Sequence, residues 1–135
     1  MALILDTGVT YAVYDRSDRH HAAVRAMIET AGEMLLLPGP TLPEIDYLLR
    51  ERVGPGASLA LIDDITAGAF VVEDLTLEDY PRVRDLMDRY DDIGFVAAAV
   101  LATVERAGEP KLATIDHRHF AMMRPRHVEA LELLP

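Results

Sequence analysis

Short apolar runs alternate with amphipathic stretches along the whole chain, and this alternation limits the fold more than any other feature. The runs lie at 2–5, 34–37, 70–72 and 112–115. Apolar runs of three or four residues read as strands buried on both faces. A fifth, short and at an edge, is expected over 128–133. Between them the spacing predicts helices. Ser17-Asp18 is positioned to cap one in which Val24, Met27 and Ile28 face inward. Pro38-Gly39-Pro40 closes the second strand ahead of a helix at 41–52. Gly54-Pro55-Gly56 breaks that helix, and another runs to about 67. The stretch 76–90 predicts a helix with Tyr80, Val83, Met87 and Tyr90 close to one face, and Thr76 and Asp79 have capping-box spacing. A smooth apolar helix is expected at 95–107, stopped by Gly108. The pattern predicts a single α/β domain over 1–135, with a central, mostly parallel sheet of four to five strands and helices on both faces.

Two of the predicted strands run into an aspartate, Asp6 after A-L-I-L and Asp116 after K-L-A-T-I. In an open parallel sheet the carboxyl ends of the strands border the ligand crevice. If the two strands are neighbours, both carboxylates meet there and repel. A hard cation such as Mg²⁺ or Mn²⁺ relieves that repulsion. Alternatively, each Asp simply caps the helix or turn that follows. Glu44 has the same ambiguity: Thr41 and Glu44 have capping-box spacing, and a first-turn Glu also points toward the crevice. Asp91 and Asp92 precede the smooth helix, where acids favour the helix dipole. With Gly94 as N-cap, position 97 falls in the first turn, and an acid there would reach the edge that Asp6 occupies. That position holds Ala97.

Composition narrows the chemistry further. The formal net charge of −10 argues against a simple DNA-binding module, although metal-binding carboxylates in a nuclease would add negative charge of this kind. The absence of cysteine excludes disulfides and thiolate zinc sites. The N-terminal M-A-L-I-L-D has no signal-peptide pattern, and the longest apolar run, 95–102, is too short to span a bilayer. A soluble, cytoplasmic protein is expected. His117 and His119 have H-x-H spacing without further ligands nearby, and Met122-Met123 reads as packing.

Four segments, taken in order, resemble a family. L-D-T-G-V-T-Y-A at 5–12, P-E-I-D-Y-L-L at 43–49, D-I-G-F-V-A-A-A-V at 92–100 and A-T-I-D-H-R-H-F at 113–120 are similar to those of PIN-domain ribonucleases. Length and order match the VapC-type toxins of bacterial toxin–antitoxin pairs. The resemblance implies a PIN-like three-layer sandwich. It implies that Asp6, Glu44 and Asp116 are catalytic and hold metal, with Thr7 and Thr114 lining the same site. The family also places a metal-binding Asp at the position of Ala97, so one of four expected acids is missing. Either Ala97 is a knock-out of a toxic activity, or it is natural and leaves a weakened or non-catalytic member. Asp92, five residues away, is a possible substitute ligand, although as a helix-start acid it has an ordinary structural role.

The activity implied is Mg²⁺-dependent hydrolysis of RNA phosphodiesters, with Mn²⁺ as an alternative ion. Asp6 and the acid at 97 would bind metal directly. Glu44 and Asp116 would bind it or orient the attacking water. Arg118, two residues from Asp116, is the first candidate for a phosphate contact, ahead of Arg16, Arg19, His20, His21, Arg124 and Arg126. The partners implied are a VapB-type antitoxin, an RNA substrate and a second copy in a homodimer, with DNA reached only through the antitoxin. The competing expectation is a PIN-fold module that binds RNA or antitoxin without cutting. A phosphatase or receiver domain fits less well, because Asp6 is followed by T-G-V-T and has no adjacent acid.

Overall fold

The computed structural model describes residues 1–135. Strand β1 (Ala2–Ile4) pairs in parallel with β2 (Met34–Pro38), and β2 with β3 (Val71–Glu73). Strand β4 (Lys111–Ala113) pairs in parallel with β5 (Glu132–Leu134). The three-stranded and two-stranded pieces meet at one parallel bridge, Leu5 to Ala113. The Asp6 N–H donates to the Ala113 carbonyl at 2.9 Å. The spatial order is therefore β3-β2-β1-β4-β5, the expected parallel sheet with a seam between β1 and β4. That seam makes the strands carrying Asp6 and Asp116 neighbours.

Seven helices cover the sheet: α1 (Thr7–Tyr14), α2 (His21–Thr30), α3 (Leu42–Arg52), α4 (Pro55–Thr66), α5 (Tyr80–Arg89), α6 (Phe95–Ala107) and α7 (His117–Met122). Alternation along the strands assigns them to two faces. Ala2, Ile4, Leu36 and Leu112 pack with α5, α6 and α7. Leu3, Leu5, Leu37 and Ala113 pack with α1 to α4. The result is a helix–sheet–helix sandwich in three layers. No helix is long and apolar enough to cross a membrane.

The smooth stretch is smooth because it is interior. Ala98 to Val104 are all buried in α6, and the Thr103 hydroxyl donates back to the Ala99 carbonyl at 2.8 Å. Gly108 ends the helix in the left-handed conformation, φ 70°, which glycine adopts without steric cost. The Thr76–Asp79 capping box forms, at the start of a short 3-10 turn that leads into α5.

Several local expectations are corrected. Helix α1 is absent from the periodicity reading, because T-G-V-T-Y-A-V-Y is rich in residues that favour strands. Asp6 caps it, and burial of Val9, Tyr11 and Ala12 holds it. Helix α2 starts at His21 rather than directly after Ser17-Asp18. Asp18 instead orders the entry, its carboxylate accepting from the His20 N–H at 2.8 Å. Val24 is buried and Met27 and Ile28 are half-buried, as the spacing predicts. The Thr41–Glu44 capping box does not form. A 3-10 turn at Gly39–Thr41 precedes α3, and it turns the Thr41 hydroxyl back to donate to the Pro38 carbonyl at 2.7 Å. On α5 the buried apolar residues are Val83 and Leu86, whereas Tyr80 and Met87 are exposed. Buried Arg82 shares the inner face, where its guanidinium forms a paired contact with Glu105 of α6, both bonds 2.9 Å.

Candidate active site

At the carboxyl ends of β1 and β4 the chain opens into a cavity of about 560 Å³. It lies across the sheet edge. Glu44, Leu48 and Arg52 of α3 line it on one side, and Phe95 and Ala97 of α6 on the other, with Asp6 and Asp116 between. Gly8 permits the close approach of α1 to the end of β4, since a Cβ there would stand 2.7 Å from Ile115 Cδ1.

Asp6 is buried, and both its oxygens are engaged. Oδ1 accepts the Thr7 N–H at 2.8 Å, and Oδ2 accepts the Thr114 hydroxyl at 2.9 Å. That hydroxyl in turn accepts the Asp116 N–H at 3.0 Å. Thr114 therefore ties the two aspartates together across the seam. Burial raises the Asp6 carboxyl above its ordinary range. The Thr7 N–H and Thr114 hydroxyl oppose that rise, and the charges of Asp116 and Glu44 add to it. Asp116 is partly exposed at the start of α7, where its Oδ1 accepts the His119 N–H at 3.2 Å and its Oδ2 lies 2.8 Å from His119 Nδ1.

The other expected residues divide between wall and surface. Glu44 is exposed in the first turn of α3 and lines the cavity. Ala97 is half-buried and presents its methyl group to the same cavity. Thr7 lines it as well, and its buried hydroxyl oxygen has no hydrogen-bond partner. Asp92 is exposed and lies outside the cavity wall, and α6 has no side-chain cap and no acid in its first turn. Arg118 is also exposed and outside the wall. Arg126 serves the α5–α6 network, its N–H donating to Glu105. His21 Nδ1 lies 2.6 Å from the Ala12 carbonyl of α1.

Three wall or support residues escaped the sequence reading. His119 steadies Asp116, a role signalled only by i, i+3 spacing at a helix start. Arg52 falls in the wall because Glu44, Leu48 and Arg52 recur at four-residue intervals along one stripe of α3. Phe95, the first residue of the smooth helix, is 42% exposed and lines the cavity.

The donor chemistry fits a hard divalent cation in kind, being carboxylate and hydroxyl oxygens around an acid whose charge burial disfavours. Three acids share the wall, Asp6, Glu44 and Asp116, and Asp6 feels the charge of the other two; in this conformation their side chains are not drawn into one closed ligand group. The first turn of α6, the remaining wall facing Asp6, contributes a methyl group.

The PIN domain family model matches residues 3–124. Ribonuclease VapC26 of Mycobacterium tuberculosis is 30% identical over 125 residues, spanning 91% of this chain and 93% of that protein. Among solved structures, Mycobacterium tuberculosis VapC20, described as a Sarcin-Ricin loop cleaving toxin, superposes with a TM-score of 0.82 at 20% identity, covering 93% of this chain and 98% of its own. A chain of VapBC2 from Rickettsia felis, solved bound to a promoter DNA fragment, superposes at 0.71 with 12% identity and full coverage of both chains. With its strand-end aspartates side by side in a three-layer parallel fold, the chain belongs to the PIN-domain family.

Proposed function

We propose that this chain is the toxin component of a toxin–antitoxin pair, a metal-dependent endoribonuclease by construction, weakened or silenced by Ala97. The observation that carries this reading is the Asp6–Thr114–Asp116 linkage in a cavity shared with Glu44, with a methyl group at the remaining wall. Asp6, Glu44 and Asp116 would hold the ion, Mg²⁺ first and Mn²⁺ second. A bound ion of this kind supplies a water of lowered pKa and offsets charge on the phosphate under attack. Thr7 and Thr114 keep the Asp6 carboxylate oriented. Glu44, unencumbered at the cavity mouth, is placed to bind the ion or to accept a proton from the attacking water. His119 fixes the Asp116 carboxylate.

The partners follow the relatives. A VapB-type antitoxin would cover the acidic cavity, most readily with an arginine. DNA would be reached only through that antitoxin, as a homodimer of this chain in a larger cytoplasmic assembly. A second reading is a PIN-fold module that binds RNA or antitoxin without cutting, and the methyl group of Ala97 in the cavity wall favours it.

Cleavage of total RNA by this chain and by Ala97→Asp, with Mg²⁺, with Mn²⁺ and with chelator, separates them. The nuclease reading expects metal-dependent cutting by Ala97→Asp and little or none by the parent. Silence from both under every condition supports the binding module. Equal cutting by both removes position 97 from the metal site.

A further inference from the structure

Four acids line the cavity, Asp6, Asp18, Glu44 and Asp116, against a single basic residue, Arg52. Arg52 is exposed and makes no ion pair. Its guanidinium carbon lies 5.5 Å from the centre of the Tyr11 ring. Tyr11 is itself buried, and its hydroxyl donates to Asp15. Asp15 feels the Arg52 charge, but its oxygens are occupied by the Tyr11 hydroxyl and the Ser17 N–H. The guanidinium is also within reach of the Tyr11 hydroxyl, and with five N–H donors it keeps others available for an anion. Across the sheet edge, on α6, the exposed Phe95 ring stands at the cavity mouth. An exposed ring facing a cleft offers a surface on which an unstacked base can lie.

Resting on the ribonuclease reading, we propose that Arg52 and Phe95 are the two ends of a single-stranded RNA track over the carboxylates, Arg52 gripping a phosphate and Phe95 stacking a base. Glu44 and Arg52 are eight residues apart, about 12 Å along the axis of α3. The phosphate at Arg52 is therefore not the one beside the acids or its immediate neighbour but one farther along the same strand. A duplex does not satisfy this pair, because its bases are already stacked and its major groove is closed to side chains. Tyr11 is a positioning residue for the Arg52 guanidinium. The track makes the acidic cavity selective for unpaired RNA without reading a particular base.

Fluorescence anisotropy of an end-labelled single-stranded oligoribonucleotide tests the proposal, using the full chain in Mg²⁺ over a series of salt concentrations with cleavage followed on gels. Arg52→Ala should weaken binding about tenfold and reduce the slope of log affinity against log salt by about 0.7, the loss of one phosphate contact. Arg52→Lys should retain the slope. Phe95→Ala should weaken binding about tenfold at unchanged slope, and Phe95→Tyr should restore it. A hairpin duplex of the same length should bind the parent more weakly than the single strand. If the parent binds and both alanine variants match it, the track is wrong and the ribonuclease reading stands. If the parent binds no RNA, the RNA reading of the site fails and the track with it. If Phe95→Ala changes the oligomeric state by light scattering and leaves RNA affinity alone, that ring serves a protein interface and the track is overturned.

Discussion

Asp6 is where burial and charge oppose each other most directly. Its folded carboxyl titrates above the ordinary value. The folded state therefore favours the protonated form, and ionisation costs stability progressively as pH rises from the unfolded value through the folded one. In Asp6→Asn that cost is absent, while the loss of one accepted hydrogen bond is the same at every pH. With chelator present, the melting temperature of Asp6→Asn relative to the parent should therefore climb as pH rises above the unfolded carboxyl value of about 4. A difference that falls over this range would mean the carboxylate is stabilised in place. Ala97→Asp brings a further negative charge toward Asp6 and should lower metal-free stability by about 1 kcal/mol, measurable by urea unfolding. A rise in stability without metal would place position 97 elsewhere than beside Asp6.

Among the elements, α6 and α5 depend on a buried charge. Arg82 and Glu105 side chains are both 10% exposed, and the guanidinium also reaches Asp85 at 2.9 Å and the Arg124 carbonyl at 3.0 Å. Arg82→Met should cost about 3–5 kcal/mol by leaving Glu105 unpaired, and a second change, Glu105→Leu, should return part of that loss. This pair also shows why only some of the structure was legible in the sequence. Strand runs and the buried α6 announce themselves, because apolar length and period survive without knowledge of neighbours. The inner face of α5 does not: Tyr80 and Met87 look like core residues until the Arg82–Glu105 contact fixes the rotation of the helix. Helix α1 was illegible because its strand-favouring residues are overruled by the Asp6 cap and by burial. At the site, Asp6 and Asp116 were readable as strand ends. Thr114 as their link, His119 as a support and Arg52 as a wall residue depend on strand adjacency and helix phase, which no local pattern states.

At the scale of the molecule, the sheet is continuous in direction, with β1 and β4 meeting at the Leu5–Ala113 bridge and sharing both cores. The two aspartates stand on opposite sides of that seam, so an ion bound between them would clamp the halves together. Ligand linkage gives the size: at a hundred times its dissociation constant, a bound ion stabilises the fold by about 2.7 kcal/mol. Calorimetry with Mg²⁺ or Mn²⁺ should show a clear rise in melting temperature for Ala97→Asp and a smaller one for the parent. Equal shifts would locate the ion away from position 97.

The burial pattern of α6 has a consequence for heredity. Sealed interior begins at Ala98, one residue beyond the position that faces the cavity. Alanine and aspartate side chains differ by one carboxyl group, and a cost of about 1 kcal/mol is small against a domain's usual 5–15 kcal/mol of stability. On the ribonuclease reading proposed above, one side chain would separate a silent form from an active one at little cost to the fold. Selection for a stable protein would be blind to that change.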